Sequence, residues 1–200
     1  MSDAVIRLKI TLQDTEPAIW RRIEVPACIT LKELHPIIQA AMGWENVHLF
    51  RYAVGRQSID SPGLGGVGLY GQSNITAGRV TLDDLTARGI KRFSYLYDMG
   101  DSWEHDLHIE KALPADPAIL YPRFIDGAGR CPPEDVGGIP GFYNFLDALK
   151  NKRHPDHHHL MEWHGGPFDP NSLGQDQILK RLAIIATRRS RKALPTKRKN

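Results

Sequence analysis

Two cysteines, Cys28 and Cys131, are all that the 200-residue chain contains. That is too few for a disulfide scaffold and too few for a zinc ribbon built on cysteine pairs. No apolar run reaches the ~20 residues that cross a bilayer as a helix, and the opening MSDAVIRLKI holds no apolar stretch of leader type. A cytoplasmic protein without a membrane span is therefore expected. Internal repeats are missing as well. Hydrophobic residues at 41% and charged residues at 24% exclude a collagen-like repeat, a coiled coil and a wholly disordered chain. A domain of this length buries roughly two-thirds of its unfolded surface, so it needs no covalent staples.

Acidic residues are absent from the stretch 188–200, RRSRKALPTKRKN. Seven basic side chains stand there: Arg188, Arg189, Arg191, Lys192, Lys197, Arg198 and Lys199. Of the 26 basic residues, the remaining 19 face 23 acidic ones, so the net charge of +3 belongs to the tail and not to the body. Composition thus divides the chain into a folded domain over 1–187 and a disordered basic tail over 188–200. Such an arm either neutralises nucleic-acid phosphates without reading their sequence or is a solvated terminus.

Hydrophobic periodicity places the elements. Ile6, Leu8, Ile10 and Leu12 alternate with polar residues, and Ile19, Arg21, Ile23 and Val25 do so again before Pro26, which predicts two strands joined near Glu16-Pro17. Thr30 stands three residues before Glu33, the spacing of a capping box. Leu31, Leu34, Ile37, Ile38, Ala41 and Met42 share one helical face, and Gly43 supplies the stop. Phe50, Tyr52 and Val54 predict a third strand. Seven glycines between 55 and 79 mark a flexible excursion. It lacks the Lys-Ser/Thr ending of a P-loop. Thr81 and Asp84 cap a short helical turn.

Phe93, Tyr95 and Tyr97 alternate on one strand, and Trp103, His105, Leu107 and Ile109 on its return, with Asp98-Met99-Gly100-Asp101 as the turn. Residues 113–140, rich in Pro and Gly, are expected to be irregular. Three helices are expected to follow: Gly141–Lys150, Pro155 to about Trp163, and one from Asp176 that fades into the basic tail. Partly segregated strands and helices predict an α+β single domain with a mostly antiparallel sheet and packed helices.

Four strings occur in order: IWRRIEVPACITLKELHPIIQAAMGWENVHLFRY (19–52), YLYDMGDSWEHDL (95–107), CPPEDVGG (131–138) and FDPNSL (168–173). Together they resemble the plasmid pRiA4b ORF-3-like family, whose members also carry the label of insertion-element passenger proteins, sometimes "resolvase-like". The resemblance runs from about residue 4 to about residue 186 and leaves the basic tail outside. It implies a compact α+β domain of ubiquitin-like or ferredoxin-like flavour and no assigned activity. The resolvase label finds no chemistry in these residues. Ser2 is the only serine before Ser58 and has no arginine setting, and the last tyrosine, Tyr143, precedes the final helix.

The densest polar group comprises Asp98, Asp101, Glu104, His105, Cys131, Glu134 and Asp135, with Trp103 among them. Carboxylates and an imidazole at a sheet rim hold a divalent cation or work as an acid–base pair. The competing expectation is structural. Aspartates in turns bond neighbouring amides, and His105 shares a strand face with Trp103 and Leu107, as a core histidine would. Cys131 is a poor acyl-transfer nucleophile, because Pro132 removes the amide that follows it. A second cluster, HPDHHH over 154–159, places His158 and Glu162 four apart on one helix face, a chelating spacing without the HExxH motif. Trp44 and Trp163 stand just past helix ends, where they rim a cleft for a peptide, a base or a small ligand.

Three functions remain open on these residues. One is a binding module that docks a protein or nucleic-acid partner through the hairpin rim, the CPPED corner and the tail. Another is a metal-assisted hydrolase or nuclease using Asp98, Asp101, Glu104, His105, Glu134 and Asp135 with a divalent metal. The third is a small-ligand sensor with the aromatic rim as its pocket. The first two require the hairpin tip and the proline-bounded corner to meet.

Overall fold

The computed structural model describes residues 4–61 and 75–193. Strands β1 (Ala4–Leu12) and β2 (Trp20–Pro26) form the first antiparallel pair, with Leu8 opposite Ile23 and Ile10 opposite Arg21. The alternation sends Ile6, Leu8, Ile10 and Leu12 into the core and leaves Arg7, Lys9 and Thr11 half-buried on the other face. Helix α1 (Leu31–Met42) has its capping box in place, Thr30 and Glu33 each bonding the other's backbone amide. Gly43 ends it in the left-handed conformation at φ 114°, which a residue with a Cβ adopts only at a cost. Leu31, Leu34, Ile37, Ile38 and Ala41 are fully buried in the core.

Strands β3 (Phe50–Val54) and β4 (Gln57–Asp60) form a hairpin, and the two-residue β5 (Ile75–Thr76) lies parallel to β4. Helix α2 (Leu82–Ala87) starts at a second capping box, Thr81 with Asp84. The two capping threonines, Thr30 and Thr81, form an isolated antiparallel bridge, so the starts of α1 and α2 are tied together. Then come β6 (Arg92–Tyr97), β7 (Trp103–Pro114), β8 (Arg123–Ala128), α3 (Gly138–Lys150), α4 (His157–His164) and α5 (Gln175–Ala193).

The eight strands lie in the order β5-β4-β3-β6-β7-β1-β2-β8. Every neighbouring pair but β4–β5 is antiparallel. The fold is α+β, a mostly antiparallel sheet with packed helices. On its core face Tyr97 stands opposite Trp103 and Tyr95 opposite His105, and all four are fully buried. No described helix is long and apolar enough to cross a membrane.

Several elements differ from expectation. The segment 113–140 is not wholly irregular, because β7 runs on to Pro114 and β8 adds an edge strand beside β2. The glycine-rich stretch contains β4 at one end and β5 at the other, while 62–74 lies outside the described residues. Helix α4 begins at His157 and not at Pro155. Its start is held by the His157 ring, whose Nδ1 lies 2.6 Å from the Ala148 carbonyl at the end of α3. Helix α5 continues to Ala193, past the boundary read at 187. Arg189 pairs there with Glu33 at 2.7 Å, and basic residues in a last helical turn suit the helix dipole. Residues 194–200, with Lys197, Arg198 and Lys199, lie outside the described residues.

Candidate functional site

The hairpin tip and the corner after Cys131 are in contact. Asp98 and Ser102, which bound the β6–β7 turn, have left-handed backbones at φ 57° and 56°, a conformation Asp tolerates better than most residues. The turn is bonded internally, since Asp98 Oδ1 accepts from the Gly100 amide at 2.8 Å and the Asp98 carbonyl from the Ser102 amide at 2.8 Å. Asp101 reaches out of it, its Oδ2 accepting from the Gly137 amide at 3.1 Å.

The paired glycines of the corner are needed for this approach. A Cβ on Gly138, at φ 67°, would lie 2.6 Å from the Asp101 carbonyl oxygen, and one on Gly141 would lie 2.0 Å from the Val136 carbonyl oxygen. Glu134 ties the corner to two further segments. Its Oε1 accepts from the Tyr97 hydroxyl at 3.0 Å and from the Glu45 amide at 2.7 Å. The Trp44 indole N–H donates to the Pro132 carbonyl at 3.1 Å. Asp101 and Glu134 are therefore the tethers of the corner.

Two carboxylates remain at the rim with a third group between them. His48, in the segment linking α1 to β3, puts Nε2 2.9 Å from Asp135 Oδ1 and 3.5 Å from Asp98 Oδ2. One ligand atom from each of the three residues lies within 4.8 Å of the others, the one such group of three metal-ligating side chains among the described residues. The side chains are graded in exposure: Asp98 11%, His48 31% and Asp135 68%. Separations near 3 Å are edges of a coordination polyhedron with metal–ligand bonds of about 2.1 Å. The Tyr97 ring packs edge-on against His48 at 5.8 Å and backs the imidazole.

The other sequence-derived candidates are placed elsewhere. Glu104 is exposed and pairs with Leu96 on the opposite face of the sheet. His105 is fully buried beneath the tip. Its Nδ1 lies 3.2 Å from the Tyr95 carbonyl, to which it donates, and its Nε2 has no partner among the described residues. Burial lowers its pKa to about 4, although the hydrogen bonds to backbone carbonyls oppose that, so it is neutral at pH 7.

Trp103 is fully buried beside it, 5.8 Å from Trp44. Cys131 is buried too, and burial pushes its thiol pKa well up against the nearby Arg21 charge, so the thiolate nucleophile is suppressed. His158 and Glu162 are both exposed on α4, and neither joins a converging group of three. Trp44 is buried and Trp163 is 42% exposed; they line different cavities.

His48 is the functional candidate that the sequence patterns did not single out. It lies inside the string WENVHLFRY between exposed Val47 and Leu49. The available signal was a lone imidazole in a short connection between a capped helix and a strand, where binding residues concentrate.

With this geometry in view, the comparisons with known proteins decide the family. The family model described as plasmid pRiA4b ORF-3-like protein matches residues 4–177. The chain belongs to the plasmid pRiA4b ORF-3-like family. It is similar to the uncharacterized protein y4hQ of Sinorhizobium fredii (strain NBRC 101917 / NGR234), at 38% identity over 195 residues, 96% of this chain and 98% of the relative. Among solved structures it is similar to a protein of unknown function, MM3350, from Methanosarcina mazei Go1, with a TM-score of 0.74 and 32% identity over 84% of this chain and 94% of that one. The family match spans all three members of the rim group, His48, Asp98 and Asp135.

Proposed function

We propose that this ORF-3-like protein is a divalent-cation-binding module, in which a first-row metal at the sheet rim takes up an anionic group of a partner molecule. The observation that carries this is His48 Nε2 standing between Asp98 Oδ2 and Asp135 Oδ1, at 3.5 and 2.9 Å. One imidazole and two carboxylates suit Zn²⁺ or Mn²⁺. Three protein ligands leave coordination positions open, as in sites that exchange water for a ligand. The fold supports the binding alternative over a hydrolase built on Glu104 and His105. Glu104 faces away, and His105 has no surface through which to exchange a proton.

Two further features support the wider reading of a partner-docking cytoplasmic protein. Cys28 and Cys131 are free thiols, as a reducing compartment keeps them. Arg188 and Arg191 are exposed on the last turns of α5 and make no ion pair among the described residues, so they are available to a polyanion such as nucleic acid.

Titration calorimetry of chelator-treated protein with Zn²⁺ and with Mn²⁺ tests the metal. One ion per chain is expected, with affinity falling as pH is lowered because imidazole and carboxylates bind metal only unprotonated. His48→Ala and Asp135→Asn each weaken binding by tenfold or more, about 1.4 kcal/mol, whereas Glu104→Gln leaves it unchanged. Equal affinity in the His48→Ala protein and its parent would sink the proposal.

A further inference from the structure

A cavity lies between the Cys131–Glu134 corner, the end of α1 and the start of α5. It has a volume of about 260 Å³. Apolar side chains make much of its wall, among them Met42, Trp44, Phe168 and Ile178. The remaining charges are unevenly spent. Arg181 is engaged, donating to the Trp44 carbonyl at 2.9 Å and to Glu45 at 2.6 Å. Arg130 also lines the cavity. Its guanidinium lies over the Phe168 ring at 5.2 Å and has no ion-pair partner among the described residues.

Behind the floor is a third arginine. Arg21 is fully buried on β2 and is held only by carbonyls, those of Ala41 at 2.9 Å, Trp20 at 2.8 Å and Ala128 at 2.9 Å. Its Nη2 has no partner, and no carboxylate pairs with it among the described residues. Three observations place it against the cavity. Its charge acts on Cys131, which lines the cavity. It bonds the carbonyl of Ala41, the neighbour of the lining residue Ala40. A Cβ on Gly127 would touch both the Arg21 side chain, at 3.0 Å, and that of Leu173, at 3.2 Å, another lining residue. Buried charges in folded proteins are ordinarily paired. A fully buried guanidinium without a counter-ion among the described residues, held by carbonyls at Nε and Nη1 and bare at Nη2, behind a cavity walled by a second guanidinium that no carboxylate pairs among those residues, biases that cavity toward an anion. Gly174, just before the 19-residue α5, and Gln177 in its first turn also line it and add the positive end of a helix dipole.

We infer that this cavity binds a small organic monocarboxylate with a flat apolar body, its carboxylate on Arg130 above Arg21 and its body against Trp44, Met42 and Phe168. A planar carboxylate matches the two-pronged donor geometry of arginine. The volume is below that of drug-sized pockets and suits an anion the size of a single substituted ring. Glu45 and Glu134 also line the cavity, and their charge opposes a phosphate dianion more strongly than a singly charged carboxylate. The site shares no residue with His48, Asp98 and Asp135, so it stands or falls apart from the metal.

Heteronuclear NMR titration of the full chain with sodium benzoate, benzamide and inorganic phosphate tests the inference. Benzoate is expected to shift resonances of Trp44, Arg130 and Gln177. Its neutral isostere benzamide and inorganic phosphate are expected to bind at least about tenfold more weakly. Arg130→Gln, which removes a half-exposed charge, is expected to weaken benzoate binding by the same factor with an unchanged circular dichroism spectrum. His48→Ala binds benzoate like the parent. Arg21→Met weakens it also, and if that core variant fails to fold, Arg130→Gln decides alone. Absence of benzoate binding at millimolar concentration, equal binding of benzamide or phosphate, or an Arg130→Gln variant that binds benzoate like the parent each overturns the inference.

Discussion

Two buried histidines make the protein sensitive to acid. Burial lowers the pKa of His105 to about 4. His35, stacked on Phe50 at 3.7 Å and bonded through its ring nitrogens to the Tyr95 hydroxyl and Asn46, is likewise lowered to about 4, burial outweighing the opposing bond from Asn46. Unfolded histidine titrates near 6.5, so between about pH 6.5 and 4 the unfolded chain binds more protons than the folded one, and stability falls as pH falls through that window. Each histidine contributes on the order of 3 kcal/mol to the loss. The melting temperature of His105→Phe is expected to fall less steeply over this range than that of the parent, and a parallel fall would refute the assignment. Sequence alternation had already put His105 on the same face as Trp103 and Leu107. The same alternation put Glu104 on the opposite face, so neither residue was fit for the rim. Asp98 and Asp135 were legible as rim residues because turn chemistry demands polar groups there. His48 was not, because the group it completes is assembled from three distant segments and no local spacing announces it.

At the scale of elements, the arrival of α3 against the β6–β7 turn sets the geometry of the corner. The contact of Gly138 with the Asp101 carbonyl leaves no room for a methyl group. Gly138→Ala adds both that overlap and a positive φ for a residue with a side chain, a cost of about 3 kcal/mol. A lower denaturant midpoint with an unchanged slope is the expected result, and weaker binding of Zn²⁺ accompanies it, because Asp135 moves with the corner. The elements with strong periodicity or caps were readable: β1, β2, β6 and β7 by alternation, α1 and α2 by their capping boxes. β8 was not, because it is an edge strand whose burial hardly alternates and which carries Gly127. β4 has only four residues, and the glycines that follow it outweigh its signal.

For the whole molecule, charge is distributed by face and by end. The outward face of the sheet carries ion pairs, with Glu24 held between Arg7 and Arg123 at 2.6 and 2.7 Å and Arg22 on Glu110 at 2.8 Å. At the basic end of α5, Arg188 and Arg191 make no ion pair among the described residues. Deleting 188–200 removes one ion pair among the described residues, Arg189 with Glu33, and is expected to cost no more than about 1 kcal/mol of stability. If the basic end anchors nucleic acid, the same deletion flattens the slope of log affinity against log salt for duplex DNA. Identical slopes for the two proteins would show that the anchor is elsewhere. Composition revealed the excess of basic residues at this end. It did not show that the first of them continue a helix, since the apolar stripe of α5 weakens there.

Strand β1 lies between β2 and β7, and Leu12 pairs with His105. A ribosome must therefore complete β2, α1, β3 to β5, α2 and β6 before β1 finds its second neighbour. Until then one margin of the β1–β2 hairpin offers bare amides and carbonyls above an uncovered row of isoleucine and leucine, the kind of surface that other nascent chains and chaperones recognise. Fragments ending before β7 are for that reason the ones that would accumulate as insoluble material.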